Sequence, residues 1–339
     1  MIHIIFTGGT IGCRIKESGT LDLRDTSYEL LSMYEERLKG SGTAFSVSEP
    51  YRILSEDLSA AHLLKLIAEI KRVIMEKPDG IIITHGTDTL QYTAAILSYI
   101  FGSSAVPIVL VSANRVLSDE SSNGFTNFVC AVRFIEEVIK GKRGVFVAYD
   151  NGGESTYIHR GNRLGDPIPF SDYVYSIRDQ YFGRYEKIKG EYGPGRFLAN
   201  YDYIEHNDMD TMFWFHDDVY LLPQSDRILR LTTFPGICYP EILGHVSAIL
   251  LSGYHSGTAG PGNELADFVE RAVKREIPVY LTGVSEYAAE YESMTRLFSL
   301  GVMPLRDLSP IGQYCKLWLA LSNGLDVRKT MDTVYAGEK

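Results

Sequence analysis

The stretch Thr84-His85-Gly86-Thr87-Asp88-Thr89 decides the fold, because it places several hydrogen-bonding side chains and a glycine between a strand and a helix. Gly80-Ile81-Ile82-Ile83 precedes it, a β-branched run that is typical of a buried parallel strand. Apolar residues then recur at helical spacing from Leu90 to Phe101, and Asp88 with Gln91 matches a capping box. A plain helix cap is the simpler interpretation, but the density of polar groups favours a functional site at the carboxyl end of the strand.

A second stretch of the same design opens the chain. Ile2 to Phe6 is predicted to be a strand, and the turn that follows reads Thr7-Gly8-Gly9-Thr10-Ile11-Gly12. Two adjacent glycines let the backbone approach a ligand closely, and they leave Thr10 on an exposed corner. The spacing matches neither G-x-G-x-x-G nor the P-loop pattern with its lysine, which argues against a nucleotide site.

Taken together, Thr7-Gly8-Gly9-Thr10-Ile11 and His85-Gly86-Thr87-Asp88-Thr89 resemble the two signature motifs of the bacterial-type L-asparaginase and glutaminase family. Their order and separation make the pair more specific than either motif alone. The resemblance covers most of the chain and thins after about residue 150. It extends through Ser55-Glu56-Asp57, Ala113-Asn114-Arg115, Asn123-Gly124, Asn127 and Gly301-Val302.

The resemblance implies a threonine nucleophile that attacks a side-chain carboxamide, forms an acyl-enzyme ester and releases ammonia. Thr10 would attack, Thr87 would orient or activate the second hydroxyl or water, and Asp88 would bind the substrate ammonium. A threonine hydroxyl is a weak nucleophile unless a partner removes its proton, so one threonine cannot be the whole site. Backbone N–H groups of the turns at Gly9 and Gly86 would receive the developing oxyanion.

The resemblance also implies how the substrate would be held. Ser55 would bind the α-carboxylate of an amino acid, and Glu56 would lie beside its α-amino group. On chemistry alone, a glutamate favours an ammonium group. An exposed helical turn whose acidic residues complement the helix dipole is the alternative interpretation of Ser55-Glu56-Asp57.

Two departures from the family pattern concern catalysis. The family's lid contributes a tyrosine at a position that matches Thr20 here, and the nearest tyrosine is Tyr28, which could equally pack within the following helix. The family's catalytic lysine, counted from Asp150 along a loop, falls on Arg160. A guanidinium has no lone pair to accept a proton, so Arg160 could act only as a fixed cation. His159 is either a substitute proton carrier or a loop residue.

Length and composition favour two α/β domains. The 339 residues, of which 45% are hydrophobic, can fill two cores. We expect a larger N-terminal three-layer parallel-sheet domain over residues 1–190, a linker over 191–215 and a smaller C-terminal α/β domain over 216–339. Strands and helices alternate to about residue 149, and residues 150–166 are expected to be irregular. The reaction that the resemblance implies requires no metal or organic cofactor.

Charge and cysteine usage favour a cytoplasmic enzyme with a small-molecule substrate. The net charge is −10, and no Lys/Arg cluster is interleaved with aromatic residues, so no nucleic-acid partner is expected. Cys13, Cys130, Cys238 and Cys315 form no CxxC pair, which is typical of reduced thiols. The first six residues lack a basic n-region, and no apolar run reaches about 18 residues, so no signal peptide and no membrane partner are expected.

The predicted function is hydrolysis of L-asparagine to L-aspartate and ammonia by a homodimer or homotetramer, the assembly that the resemblance implies. Three alternatives stay open. The chain could hydrolyse a different amide, be the ammonia-donating subunit of a tRNA-dependent amidotransferase, or bind an amino acid without turnover. The second is disfavoured at this point because such subunits carry an additional N-terminal domain, whereas this sequence begins directly at its first strand.

Overall fold

The chain forms two compact units. The computed structural model describes residues 1–9, 11, 14–15, 21–22, 27–39, 42–140, 142–188, 194–203, 219–223, 226–260, 262–286 and 291–339; for 14–15, 21–22 and 27–28 it describes the backbone alone. The first unit comprises Met1–Trp214 with Tyr335–Gly337, and the second comprises Phe215–Val334 with Glu338–Lys339. The last residues of the chain are thus divided between the two units.

An eight-stranded sheet forms the centre of the first unit. Its strands are β1 (Ile2–Phe6), β4 (Phe45–Ser48), β5 (Gly80–Thr84), β6 (Ile108–Val111), β7 (Val145–Asp150), β8 (Ser155–Arg160), β9 (Gly183–Lys187) and β10 (Pro194–Ala199), while β2 (Arg14–Ile15) and β3 (Leu21–Asp22) pair separately. The order across the sheet is β10-β9-β8-β7-β6-β5-β1-β4. The five strands from β7 to β4 are parallel, and β8, β9 and β10 are antiparallel.

Helices cover the parallel part of this sheet. They are α1 (Ser27–Arg37), α2 (Ala60–Ile74), α3 (Leu90–Phe101) and α4 (Gly124–Arg133), which continues as a π-helical segment over Phe134–Ile139. Short 3₁₀ turns occur at Ser55–Asp57, Gly161–Arg163 and Ile177–Asp179. Helix α3 begins and ends where the apolar periodicity predicted, with Gly102 following its last residue. Phe128 of α4 and Phe134 lie in one hydrophobic core with Phe146 of β7.

One segment expected to be irregular contains regular structure. The loop predicted over residues 150–166 contains strand β8. This prediction was wrong because β8 carries polar and charged side chains, so its sequence lacks the apolar alternation of a half-buried strand. Strand β10 lies within the range expected to link the two domains, and it pairs antiparallel with β9. Residues 219–222 have no regular secondary structure.

The second unit is built on a parallel sheet in the order β11-β12-β13-β14. Its elements are β11 (Ile228–Thr232), β12 (Ala248–Ser252), α5 (Asn263–Lys274), β13 (Val279–Val284), α6 (Glu292–Ser299), β14 (Val302–Arg306), α7 (Pro310–Ser322) and α8 (Val327–Asp332). Leu265 and Phe268 of α5 and Leu297 of α6 pack in one core cluster, and Leu317 of α7 packs in a separate one. The predicted fold class, a larger and a smaller α/β unit, is confirmed. Among the described helices, none is long and apolar enough to cross a membrane.

Candidate active site

The two glycine-containing turns of the first unit meet at the carboxyl edge of the parallel strands. Gly8 and Gly9 follow β1 with φ angles of +103° and +75°, a region that only glycine adopts readily. The Gly9 N–H donates to the Ile53 carbonyl at 3.0 Å. A Cβ atom on Gly9 would lie 2.4 Å from the backbone nitrogen of Gly86. The turn before Thr10 is therefore in backbone contact with the turn before Thr87.

Ser55 adds a third segment to this edge. A Cβ atom on Gly86 would lie 2.4 Å from the Ser55 Cβ, so the serine packs directly on the glycine. The Ser55 hydroxyl donates to Asp88 Oδ2 at 2.6 Å, and the Thr89 hydroxyl donates to the Ser55 carbonyl at 3.0 Å. Three segments that are distant in sequence thus converge, and one charge-assisted hydrogen bond joins two of the residues named from sequence.

Exposure separates the candidate residues into two groups. Ser55 is buried, whereas Asp88 and Glu56 are exposed and Thr87 is half-buried. The two carboxylates are therefore open to solvent and able to meet a cationic group. Thr10 and Thr20 lie outside the described residues, and Tyr28 lies in α1 with only its backbone described.

Arg160 lies far from this edge, and its expected place on a catalytic loop is wrong. It is the last residue of β8 and pairs with Phe146 of β7. Phe146 pairs with Val109 of β6, which pairs with Ile82 of β5, so Arg160 and Ile82 lie at the same height in the sheet. Three strand spacings of about 4.8 Å put it roughly 14 Å to the side of β5, below the level of Thr87.

The surroundings of Arg160 explain why a charged side chain is buried at this place. The Arg160 guanidinium stacks 4.4 Å from the centre of the Phe146 ring and donates through Nε to the Tyr203 hydroxyl at 3.0 Å. Its Nη1 donates to the Arg143 carbonyl at 3.5 Å, just before the start of β7. Arg160 is 3% exposed. These contacts are those of a structural arginine.

His159 is buried as well, which argues against a role as a proton carrier. Its Nδ1 is 2.8 Å from the Ser176 hydroxyl, and its side chain faces the protein interior on β8. Burial lowers the pKa of His159 from 6.5 to about 3, so the ring is neutral near neutral pH.

Buried polar groups connect the ends of the parallel strands. The Ser112 hydroxyl donates to the His85 carbonyl at 2.7 Å, and the Asn127 amide donates to the Ser112 carbonyl at 2.8 Å. The Asp150 N–H donates to the Asn127 side-chain oxygen at 2.8 Å, and the Asp150 carboxylate pairs with Lys187 at 2.6 Å. This network holds the ends of β5, β6 and β7 together at the candidate site.

Sequence reasoning missed two parts of this arrangement. Asn127 was noticed only as part of a resemblance, and nothing in the sequence signals that Lys187 would pair with Asp150, 37 positions earlier. A signal was present for Asn127, because a polar residue in the apolar face of a predicted helix requires a buried partner.

Comparisons with known proteins find similar sequences and a similar fold. Residues 1–165 match the protein family described as "Asparaginase, N-terminal". The D subunit of glutamyl-tRNA(Gln) amidotransferase from Pyrococcus horikoshii is 28% identical, and that from Metallosphaera sedula is 29% identical; each alignment covers 99% of this chain and 76% of the relative. The thermostable L-asparaginase from Thermococcus kodakarensis superposes with a TM-score of 0.74 at 24% identity, covering 99% of this chain and 98% of that one. For L-asparaginase I from Vibrio cholerae the TM-score is 0.72 at 24% identity, with the same coverage. At this identity the structural likeness shows the fold.

Proposed function

We propose, from the match of residues 1–165 to the family described as "Asparaginase, N-terminal", that this chain hydrolyses the side-chain carboxamide of an amino acid. L-asparagine is the proposed substrate, with L-aspartate and ammonia as products. The observation that carries the proposal is the convergence of Gly9, Gly86 and Ser55, with the Ser55 hydroxyl 2.6 Å from Asp88.

The proposed reaction has two stages. The Thr10 oxygen bonds to the carboxamide carbon, the C–N bond breaks, and the nitrogen leaves as ammonia after it takes up a proton. Water then attacks the ester carbon, which releases the carboxylic acid and returns the proton to Thr10. Thr87 would orient the attacking hydroxyl or water, and backbone N–H groups of the turn at Gly86 would stabilise the oxyanion.

Recognition of an amino acid is supported by the charges at this edge. Asp88 and Glu56 are exposed carboxylates close to the Gly86 turn and to Ser55, where they can attract the substrate ammonium. Ser55 would contact the α-carboxylate. Thr20 or Tyr28 would contribute from the segment that follows Thr10. Arg160 is not proposed as a catalytic group, because its guanidinium is held away from this edge by Tyr203 and Arg143.

A second candidate function is favoured by the sequence relatives. Chains named as the D subunit of glutamyl-tRNA(Gln) amidotransferase align with 99% of this chain. A subunit of that kind would use the same site to release ammonia for another reaction. The start of this sequence gives no ground against that alternative, so the comparisons make it stronger than the sequence alone suggested.

The proposed assembly is a homodimer or homotetramer, and the proposed location is the cytoplasm. Light scattering at micromolar protein concentration measures the assembly directly. A fully active monomer contradicts it. Purification of the native protein from its source cells distinguishes the second candidate, which requires a stoichiometric partner protein.

Thr10→Ala tests the proposed nucleophile, with Thr10→Ser as the matched control that keeps a hydroxyl. Ammonia release is measured from L-asparagine, L-glutamine and related amides. We expect the native protein to release ammonia from one of them, Thr10→Ala to lose turnover and Thr10→Ser to retain part of it. Near-native turnover by Thr10→Ala would overturn the assignment. Calorimetric binding of an amino acid without ammonia release would identify a non-catalytic binding protein.

A further inference from the structure

We propose that helix α7 carries a carboxylate-binding site, formed by Lys316 and Gln313, which the chain fills with its own Glu338. Glu338 acts there as a tethered ligand, and the class of free ligand that the site takes is a small carboxylate of the size of acetate. All the residues that form the site belong to the second unit. The proposal is therefore independent of the candidate active site and of the proposed function.

The two oxygens of the Glu338 carboxylate meet two different donors. Lys316 Nζ donates to Oε1 at 2.5 Å, and Gln313 Nε2 donates to Oε2 at 2.7 Å. Gln313 and Lys316 are three positions apart on α7, so their side chains lie on the same face of the helix. A cation and an amide placed in this way recognise a carboxylate by its charge and by its shape.

Burial makes these contacts selective for a charged ligand. The side chains of Lys316 and Glu338 are each 1% exposed, and Gln313 is fully buried. Lysine and glutamate are almost never buried completely without a partner, because a charge loses its hydration there. An anionic ligand supplies the counter-charge that the Lys316 ammonium needs, whereas a neutral ligand of the same shape does not.

The two donors also have features that a simple core position would lack. Lys316 Nζ donates to the Thr333 carbonyl at 2.6 Å, at the end of α8, which fixes the ammonium in place. Gln313 Oε1 has no partner within the part of the chain that the structure describes. A buried amide oxygen without a partner is unfavourable, and an apolar side chain would avoid it. The amide is explained by its nitrogen, which donates to the carboxylate.

Side-chain contacts, rather than secondary structure, hold Glu338 in the second unit. Residues 333–339 form neither helix nor strand. Lys339 pairs with Glu286 at 2.8 Å, but these side chains are 31% and 43% exposed, and exposed ion pairs contribute little. The buried carboxylate is therefore the main charged anchor of this segment.

The covalent tether explains why the chain itself fills the site. A ligand joined through a short linker has an effective concentration in roughly the millimolar range or above. Free carboxylates therefore compete poorly with Glu338 in the native protein. Once the Glu338 side chain is removed, the same donors are open to a carboxylate from solution.

Acetate is the matched probe, because Glu338→Ala removes the outer methylene and the carboxylate, a fragment of the size of acetate. We expect Glu338→Ala to lower the thermal unfolding midpoint by roughly 10 °C, since removal of one partner from a buried ion pair is strongly destabilising. Potassium acetate should raise this midpoint saturably, with a half-maximal effect at roughly 1–100 mM, the range expected of so small a ligand. Potassium chloride at the same ionic strength, or acetamide at the same concentration, should not.

Two control proteins separate the site from a general effect of salt. In the native protein the site is filled, and in the double variant Lys316→Met with Glu338→Ala it lacks the ammonium. Both report how acetate acts on the rest of the molecule. We expect the additional rise in midpoint in Glu338→Ala alone. An equal response to acetate in all three proteins, or no response in Glu338→Ala, would overturn the proposal.

If Glu338→Ala does not fold, the double variant Lys316→Met with Glu338→Leu decides the matter. Replacing both members of a buried ion pair by apolar residues is often neutral or stabilising, whereas removing one leaves a charge without its partner. We expect this double variant to fold and to unfold at a higher temperature than Lys316→Met alone. A midpoint at or below that of Lys316→Met would refute the site, because Glu338 would then not be the ligand of Lys316.

Discussion

Gly86→Ala should disrupt the candidate site without requiring a strained backbone. The φ angle of Gly86 lies outside the left-handed region, so alanine can adopt the backbone conformation. The difficulty is space, because the new Cβ would lie 2.4 Å from the Ser55 Cβ and 2.5 Å from the Ser55 Oγ. Carbon atoms in contact are ordinarily about 3.5–4.0 Å apart, so one of the two segments must move by about 1 Å.

The expected cost has two parts. Overpacking by one methyl group in a well-packed region costs about 1–3 kcal/mol of folding free energy. Moving Ser55 also breaks its 2.6 Å hydrogen bond to Asp88, which contributes less because Asp88 is exposed. We therefore expect a loss of roughly 1–3 kcal/mol in stability and a weaker affinity for the amino-acid product.

Second substitutions at Ser55 identify the cause. Ser55→Gly removes both atoms that overlap with the new methyl group, so it should restore much of the stability in the Gly86→Ala background. Ser55→Ala keeps the Cβ and should restore little. The measurement is the midpoint of urea unfolding by circular dichroism, with calorimetric titration of L-aspartate for binding. Equal rescue by both Ser55 substitutions, or a native-like Gly86→Ala, would refute the steric explanation.

Two further predictions concern residues of strand β8. Arg160→Lys should lose about 1–3 kcal/mol of stability, because stacking on Phe146 and the Nε hydrogen bond to Tyr203 disappear. The kcat per folded molecule should stay unchanged, and a gain or loss in kcat at equal folding would show that Arg160 serves catalysis. The pKa of His159 is 6.5 in the unfolded chain and about 3 in the folded protein, so as the pH falls the unfolded chain takes up the proton first. The free energy of unfolding is therefore unaffected by His159 above about pH 6.5 and decreases as the pH falls toward 3. For one group, the free energy of unfolding changes by at most about 1.4 kcal/mol per pH unit. In urea titrations between about pH 6 and 4, His159→Gln should reduce this pH dependence, and an unchanged dependence would contradict the lowered pKa of His159.

The sequence predicted those parts of the site that lie at the ends of parallel strands. Gly8 and Gly9 follow β1, and Thr87 follows β5, so their positions depend only on where two apolar runs stop. The contact between Gly9 and Gly86 then follows from the pairing of β1 with β5. Ser55 was reached through resemblance rather than periodicity, because it lies on a 3₁₀ turn that no apolar pattern marks.

Arg160 shows where this reasoning stops. Counting residues from Asp150 assumed that the chain stays at the carboxyl edge as a loop, but β8 pairs antiparallel with β7 and carries Arg160 away from that edge. The polar residues of β8 do not indicate a strand in the sequence, because the residues that they contact come from distant segments. Ser176 faces His159 across 17 positions, and Tyr203 faces Arg160 across 43. Such pairs depend on tertiary contacts that a local pattern does not contain.

The boundary between the predicted and the unpredicted residues coincides with the change from parallel to antiparallel pairing. In parallel strands every carboxyl end reaches the same edge, so the residue after each strand lies near the site. In the antiparallel part the chain reverses at each turn, and only every second strand ends at that edge. Strand β8 ends away from it at Arg160, whereas β9 ends on it at Lys187, whose ammonium pairs with Asp150 at 2.6 Å. The topology therefore brings the cation of β9, rather than that of β8, to the edge that carries the candidate site.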